Sequence, residues 1–179
     1  MSGKSRLSPW FAFGFTFSSV ADYTIELEIP GQHWRTDAEA SADFSLSVAD
    51  GQDPLYGKTI AGTGNTLAIG ISAETTSDQD IRRYLREQQN EPINALLLLH
   101  TNPDRLRGAG DAVALANSVK RYASAFVKQH AAQRLLLFYL GPASGACFIG
   151  HRLNKVCREI QIMEYQPGQG YAPSFRLTS

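Results

Sequence analysis

RLLLFYLGPASGACFIGHRLNKVCREIQIMEY, residues 134–165, decides the fold of this chain. RLLLFYL (134–140) is an apolar run of strand length, and GPASG (141–145) breaks it. Ala146, Ile149, Leu153 and Val156 then recur at helical spacing, and EIQIMEY (159–165) is a further strand. A strand, a helix and another strand with no room for a hairpin read as a parallel βαβ unit. Upstream the same alternation repeats. TLAIGIS (66–72) is a short apolar strand, followed by a helix in which Ile81, Tyr84 and Leu85 make an apolar stripe. Ser77 and Asp80 have the spacing of a capping box at its start. NALLLLH (94–100) is near-continuous in apolar residues, as strands covered on both faces are. A long helix follows from about Gly110 to His130, with Leu115, Val119, Tyr122 and Phe126 on one side. Downstream, YAPSFRLT (171–178) closes the sheet, and its Pro173 predicts an edge strand. The fold class expected is α/β: a doubly wound, mostly parallel Rossmann-like sheet with helices on both faces.

The first 62 residues read differently. Phe11, Phe13, Phe15 and Phe17 alternate, as do Tyr23, Ile25, Leu27 and Ile29, which predicts two antiparallel strands joined near Ser18–Asp22. Pro30–Gly64 is polar and reads as loop, with an edge strand at Phe44–Val48. The expected organisation is a β-rich N-terminal segment, 1–62, ahead of an α/β unit, 63–179. With 17 basic and 17 acidic residues the net charge is zero, which argues against duplex nucleic acid as a partner. A small ligand carrying a few phosphates needs only a local positive site, so neutrality does not exclude it. Cys147 and Cys157 form no disulfide framework. No run approaches the ~20 apolar residues of a membrane span, so a cytoplasmic chain without a membrane partner is expected.

In an open α/β sheet, ligands bind beyond the carboxyl ends of the strands where their order reverses. An order of 2-1-3-4 for the four parallel strands places that point between 66–72 and 134–140. Two loops then become candidates, Ser72–Ser77 and Gly141–Gly145. The first leads into a helix with Glu74, Asp78 and Asp80 around its start, which repel phosphate. The second leads into a helix free of acids, whose N–H groups and small residues (Gly141, Pro142, Ala143, Ser144, Gly145) suit an anion. Ser72, Thr75 and Thr76 offer hydroxyls, and His100, Asn102, Arg105 and Arg107 offer base hydrogen bonds and a cation. Tyr165 and Tyr171 could stack on a base or simply pack. Each element also has a plain reading: Gly-Pro is an ordinary turn, and residues 100–107 an ordinary polar loop. Cys147 and His151, four apart on a helix, read as core packing in the absence of a second ligand pair. Arg152, Asn154 and Lys155 read as that helix's polar face. No catalytic motif is present, and neither a metal nor a cofactor is expected.

Residues 134–179 resemble the closing block of SAVED domains, cyclic-oligonucleotide sensors of antiphage defence. The matching positions are Leu137–Phe138, Pro142–Ala143, Gly150 with Asn154, Glu164–Tyr165, and Tyr171 with Pro173–Ser174. LAIGIS followed by Ile81–Leu85 resembles the first strand–helix unit of the same half. The resemblance implies a CARF-like half-fold holding a cyclic di-, tri- or tetranucleotide at its strand ends. By motif match the ligand loops fall on Ser72–Thr76, which includes Glu74, and on Gly141–Ser144. It also implies that binding drives assembly of an effector, in CRISPR-linked or cyclase-linked (CBASS) signalling. Residues 1–62 are short and polar for a first CARF-like half, so self-association or a partner or effector chain is expected to complete the pocket. Two alternatives stand beside the sensor: a ring-nuclease-like enzyme using His100, Ser72 and Thr75, and a structural assembly subunit with a degenerate pocket.

Overall fold

The computed structural model describes residues 6–49, 64–74, 76–88 and 91–179. Thr75, residues 50–63 of the expected loop and the expected boundary at 62/63 lie outside these described residues. Six strands form the main sheet: β3 (Ser45–Val48), β4 (Thr66–Ser72), β5 (Ile93–Asn102), β6 (Arg134–Leu140), β7 (Glu159–Gln166) and β8 (Gly170–Thr178). Their order is β3-β5-β4-β6-β7-β8. The four central strands are parallel, in the expected order of 2-1-3-4. The two edges, β3 and β8, run antiparallel to their neighbours. Pro173 sits on the β8 edge, where its missing N–H costs no ladder bond in the sheet interior.

Alternation along the strands divides the core. Leu67, Ile69 and Ile71 of β4, Leu97 and Leu99 of β5, and Leu135, Leu137 and Tyr139 of β6 face one side. There they meet α1 (Ser8–Thr16), α3 (Ala109–His130) and α4 (Ala143–Leu153). The opposite side, with Leu96, Leu98, Leu136, Phe138 and Met163, is covered by α2 (Asp78–Glu87) and by Tyr171. The strands are buried on both faces, which is why their sequences are apolar throughout rather than alternating.

The N-terminal segment corrects its sequence reading. The phenylalanine run is not a strand but α1. A spacing of two over residues 11–17 is also two i,i+4 pairs, and the helix separates them. Phe11 and Phe15 turn inward against α4, whereas Phe13 and Phe17 are exposed, their ring centroids 4.9 Å apart. Pro9 in the first turn favours the helix. The second expected strand shrinks to β1 (Glu26–Ile29), paired not with the phenylalanines but with β2 (Gln32–Arg35), which the loop reading of 30–64 missed. Gly31, at φ +78°, makes the turn between them. The edge strand expected at 44–48 is present as β3.

Three tethers fix α1. Glu164 of β7 accepts the N–H groups of Leu7 and Ser8, each at 2.9 Å, and the Ser8 hydroxyl. This carboxylate satisfies orphan donors at the helix start. Midway, a Cβ at Gly14 would fall on the Cys147 carbonyl, and one at Gly150 on the Phe11 carbonyl, so the two glycines set the close α1–α4 crossing. At the far end Asn154 donates to the Phe15 carbonyl at 3.4 Å. Asn154 and Arg152, read as a solvated face, are therefore tethers; Arg152 reaches the Thr36 carbonyl at 3.1 Å.

Candidate functional site

The carboxyl ends of β4, β5 and β6 bring three loops together. The Ala73 N–H donates to the Leu140 carbonyl at 2.8 Å, joining the loop after β4 to the end of β6. The Ala73 side chain packs on Gly141, with 2.8 Å to where a Cβ would stand. Leu106, in the loop after β5, packs on Gly145, with 3.0 Å to its Cβ position. Residues 73–74 and 76–77, the loop 103–108, and the turn at 141–142 with the α4 start thus share one rim, at the reversal of strand order.

Within that rim the two helix starts differ in charge. At α4, Pro142 occupies the cap position, no side chain caps the helix, and no acid lies in the first turn. The N–H groups of this turn precede the first intrahelical bond, from Ala146 to Pro142. Ala143 is half-buried and Ser144 buried. At α2 the first turn holds Asp78 and Asp80. The expected Ser77 capping box does not form there. Instead the Ser72 hydroxyl at the end of β4 accepts the Ser77 N–H at 3.4 Å, because the strand end lies directly under the helix start.

The turn at 141–145 is built around Tyr139. The phenol donates to the Pro142 carbonyl at 3.2 Å and fills the space over both Gly141 and Gly145. Burial pushes its pKa well above the ordinary value, with the Glu74 carboxylate adding to the effect. The two glycines, read from sequence as room for a ligand, are thus explained first by this ring. Alternation along β6 could have signalled it, since Tyr139 shares the core side with Leu135 and Leu137.

The remaining candidates fall as follows. On β5, His100 is level with Ser72 in the sheet register, and its Nε2 lies 3.0 and 3.1 Å from the two Asp78 carboxylate oxygens. Asn102 ends β5 and is exposed, as are Arg105, Glu74 and Thr76. Arg107 is committed elsewhere: its guanidinium binds Asp111 and Asp43, and its own N–H bonds Asp111 at 3.0 Å. The Arg107 hydrogen bonds hold the Asp111 carboxyl down at about 2, against opposing desolvation. Tyr165 lies beyond the Phe138–Met163 pair at the end of β7, half-exposed, its ring edge-on to Tyr171 at 5.3 Å. Tyr171 itself is core, against Phe138. Sequence reasoning missed Asp78 as a side-chain partner and Leu106 as a rim residue, since both roles depend on the register of β4 and β5.

Cys147 is fully buried and its thiol pushed up to about 12 by desolvation. His151 turns away to the Tyr23 carbonyl at 2.8 Å. Among the described residues no group of three His, Cys, Asp or Glu could hold a metal ion. No helix among them is long and apolar enough to cross a membrane.

The family model of the SMODS-associated and fused to various effectors sensor domain (SAVED) matches residues 1–177. CD-NTase-associated protein 4 of Moraxella osloensis is 28% identical over 180 residues, covering 99% of this chain and 36% of that protein. The protein of the same name from an Acinetobacter species is 29% identical over 178 residues, again 36% of its length. The chain therefore spans little more than a third of the relatives it matches. The solved Acinetobacter baumannii Cap4 SAVED/CARF-domain containing receptor with the cyclic trinucleotide 3'3'3'-cAAA has the same fold. Its TM-score is 0.78 at 24% identity, covering 98% of this chain and 37% of that one. The Moraxella osloensis Cap4 receptor aligns at TM-score 0.65 and 24% identity, over 98% of this chain and 35% of that one. With its parallel core and the α1 tethers accounted for within the matched span, this chain belongs to the SAVED family of sensor domains.

Proposed function

We propose that this chain binds a cyclic oligonucleotide across the carboxyl rim of its sheet and that binding favours one state of assembly over another. The observation that carries the reading is the start of α4: an uncapped, acid-free first turn on the same rim as an α2 start already occupied by Asp78 and Asp80. A phosphate is stabilised at the first helix start and repelled at the second. Ser72, Thr76 and Asn102 offer polar contacts to the ligand's sugars or bases in this reading, Arg105 supplies the cation, and Tyr165 offers a stacking face. Family membership supports it, as do the Acinetobacter baumannii receptors solved with 3'3'3'-cAAA and 2'3'3'-cAAA. The ligand would act only through its differential affinity for the two assembly states.

The test is thermal unfolding with a panel of cyclic di-, tri- and tetranucleotides. A ligand at about 100 times its Kd adds about 2.7 kcal/mol, which raises Tm by roughly 5–10 °C at this chain length. Ala143→Glu and Ser144→Glu each place a carboxylate in the first turn of α4 and should abolish the shift. A well-folded chain that responds to no member of the panel overturns the proposal. A ring-nuclease activity finds its best support in the Ser72–His100 register and the His100–Asp78 pair. Linear product accumulating on prolonged incubation, and lost in His100→Ala, would identify that activity instead.

A further inference from the structure

The rim also contains an imidazole whose tautomer is set by its neighbour. His100 of β5 lies between Ser72 of β4 and Ser47 of β3 in register, at the carboxyl end of the sheet and on its α2 face. Its Nε2 lies 3.0 and 3.1 Å from the two oxygens of Asp78, the first residue of α2. An ionised carboxylate only accepts hydrogen bonds, so Nε2 carries the proton. In the neutral imidazole with its proton on Nε2, Nδ1 is the acceptor. Among the described residues no hydrogen bond engages Nδ1, and the side chain is 29% exposed. His100 is not among the buried polar groups of the core. A fixed acceptor at the edge of a nucleotide site discriminates between purines at the six-position. Adenine presents the donor N6 amine there, whereas guanine and hypoxanthine present the acceptor O6.

We infer that His100 is a specificity-determining residue, accepting from the N6 amine of an adenine, and that Asp78 is the positioning residue that fixes its tautomer. This rests on the proposed ligand reading and adds the base. Asp78 does not touch the ligand; it acts through the imidazole, as carboxylates that orient a histidine do elsewhere.

The experiment compares 3'3'3'-cAAA with the same ring built from inosine, by calorimetric titration of the full chain at pH 8. Inosine keeps the purine shape and N7 but replaces the amine with a carbonyl. The wild type should favour the adenine ring by roughly tenfold or more. His100→Ala should bring the two rings within about twofold of each other. Asp78→Asn removes the obligate acceptor, permits either tautomer and should shrink the preference likewise, with His100 still in place. His100→Asn, which retains an acceptor, should keep part of it and guards against a misfolded alanine variant. Equal wild-type binding of both rings, or a preference that survives both His100→Ala and Asp78→Asn, overturns the inference while leaving the ligand site standing. Binding of neither ring overturns this inference, while the ligand reading is decided separately by the full panel of cyclic nucleotides.

Discussion

The hydroxyl of Tyr139 occupies the space that side chains at Gly141 and Gly145 would need. Gly145→Ala should therefore destabilise the chain by about 1–3 kcal/mol through overpacking. Adding Tyr139→Phe, which deletes the obstructing oxygen, should recover part of that loss; urea midpoints of the single and double variants measure the coupling. Cys147, with its thiol pushed up to about 12 and no exposure, should resist aromatic disulfide reagents at pH 8 in the native state. Both thiols should titrate in denaturant. His151 is held below its ordinary pKa chiefly by burial, with the Tyr23 carbonyl opposing and Arg152 adding to the shift. The unfolded chain then binds the extra proton more readily, so the stability His151 contributes is complete above about pH 6.5 and is lost as pH falls below it. His151→Gln should differ most from wild type at pH 7, and the difference should narrow by pH 5. Asp111, at about 2 in the fold against 3.8 ordinarily, has the carboxylate sign: its contribution holds above pH 4 and disappears as pH falls toward 2.

At the scale of elements, α1 depends on what holds it. Its sequence, SPWFAFGFT, carries no acid in its first turn and no cap of its own. Nine residues are also too few for a stable isolated helix in water. Glu164 supplies the N-terminal acceptors from a strand more than 150 positions away, and Gly14 and Gly150 let the backbones meet. Glu164→Ala should cost about 1–2 kcal/mol, the range of a lost helix cap. The loss should be local: hydrogen exchange in α1 accelerates, and chymotrypsin gains access at Phe13 and Phe17, while α3 and β4–β6 stay protected. Gly150→Ala should expose the same segment by a different route, since the added methyl meets backbone and not a flexible side chain. The positions that resemble the family pattern, Gly150, Asn154 and Glu164, all serve this docking. That accounts for a motif spread over a helix and a strand without any ligand.

For the whole molecule, the question is what covers the outer side of α1. Phe13, Phe17, Val20 and Tyr23 are exposed, and Phe17 and Tyr23 meet edge-on at 5.3 Å. The phenylalanine run 11–17 is thus half internal, leaving an aromatic patch on the far side of α1 from the helix whose start holds the proposed phosphate site. If ligand-promoted assembly uses it, Phe17→Ser should abolish the ligand-dependent increase in sedimentation coefficient. Its effect on monomer stability should stay within about 0.5 kcal/mol, as for a surface substitution. Self-association unchanged in Phe17→Ser and Phe13→Ser assigns the contact to another surface.

Continuous apolar runs at 66–72, 94–100 and 134–140, each followed by helical spacing, determined the parallel sheet, because strands buried on both faces are apolar throughout. An assumed order of 2-1-3-4 then placed the rim between 66–72 and 134–140, and the structure has that order. The loops at 72–76 and 141–145 were legible for that reason. Tertiary structure alone decided the rest. Phenylalanines at 11, 13, 15 and 17 satisfy a period of two and an i,i+4 spacing equally, and only the α4 surface with its glycine and the distant Glu164 selects the helix. Likewise the partners of Arg107, Ser72 and His100 are separated from them in sequence or depend on register. A hydrogen bond is short-ranged and directional, so it becomes defined only once packing has set the strands side by side.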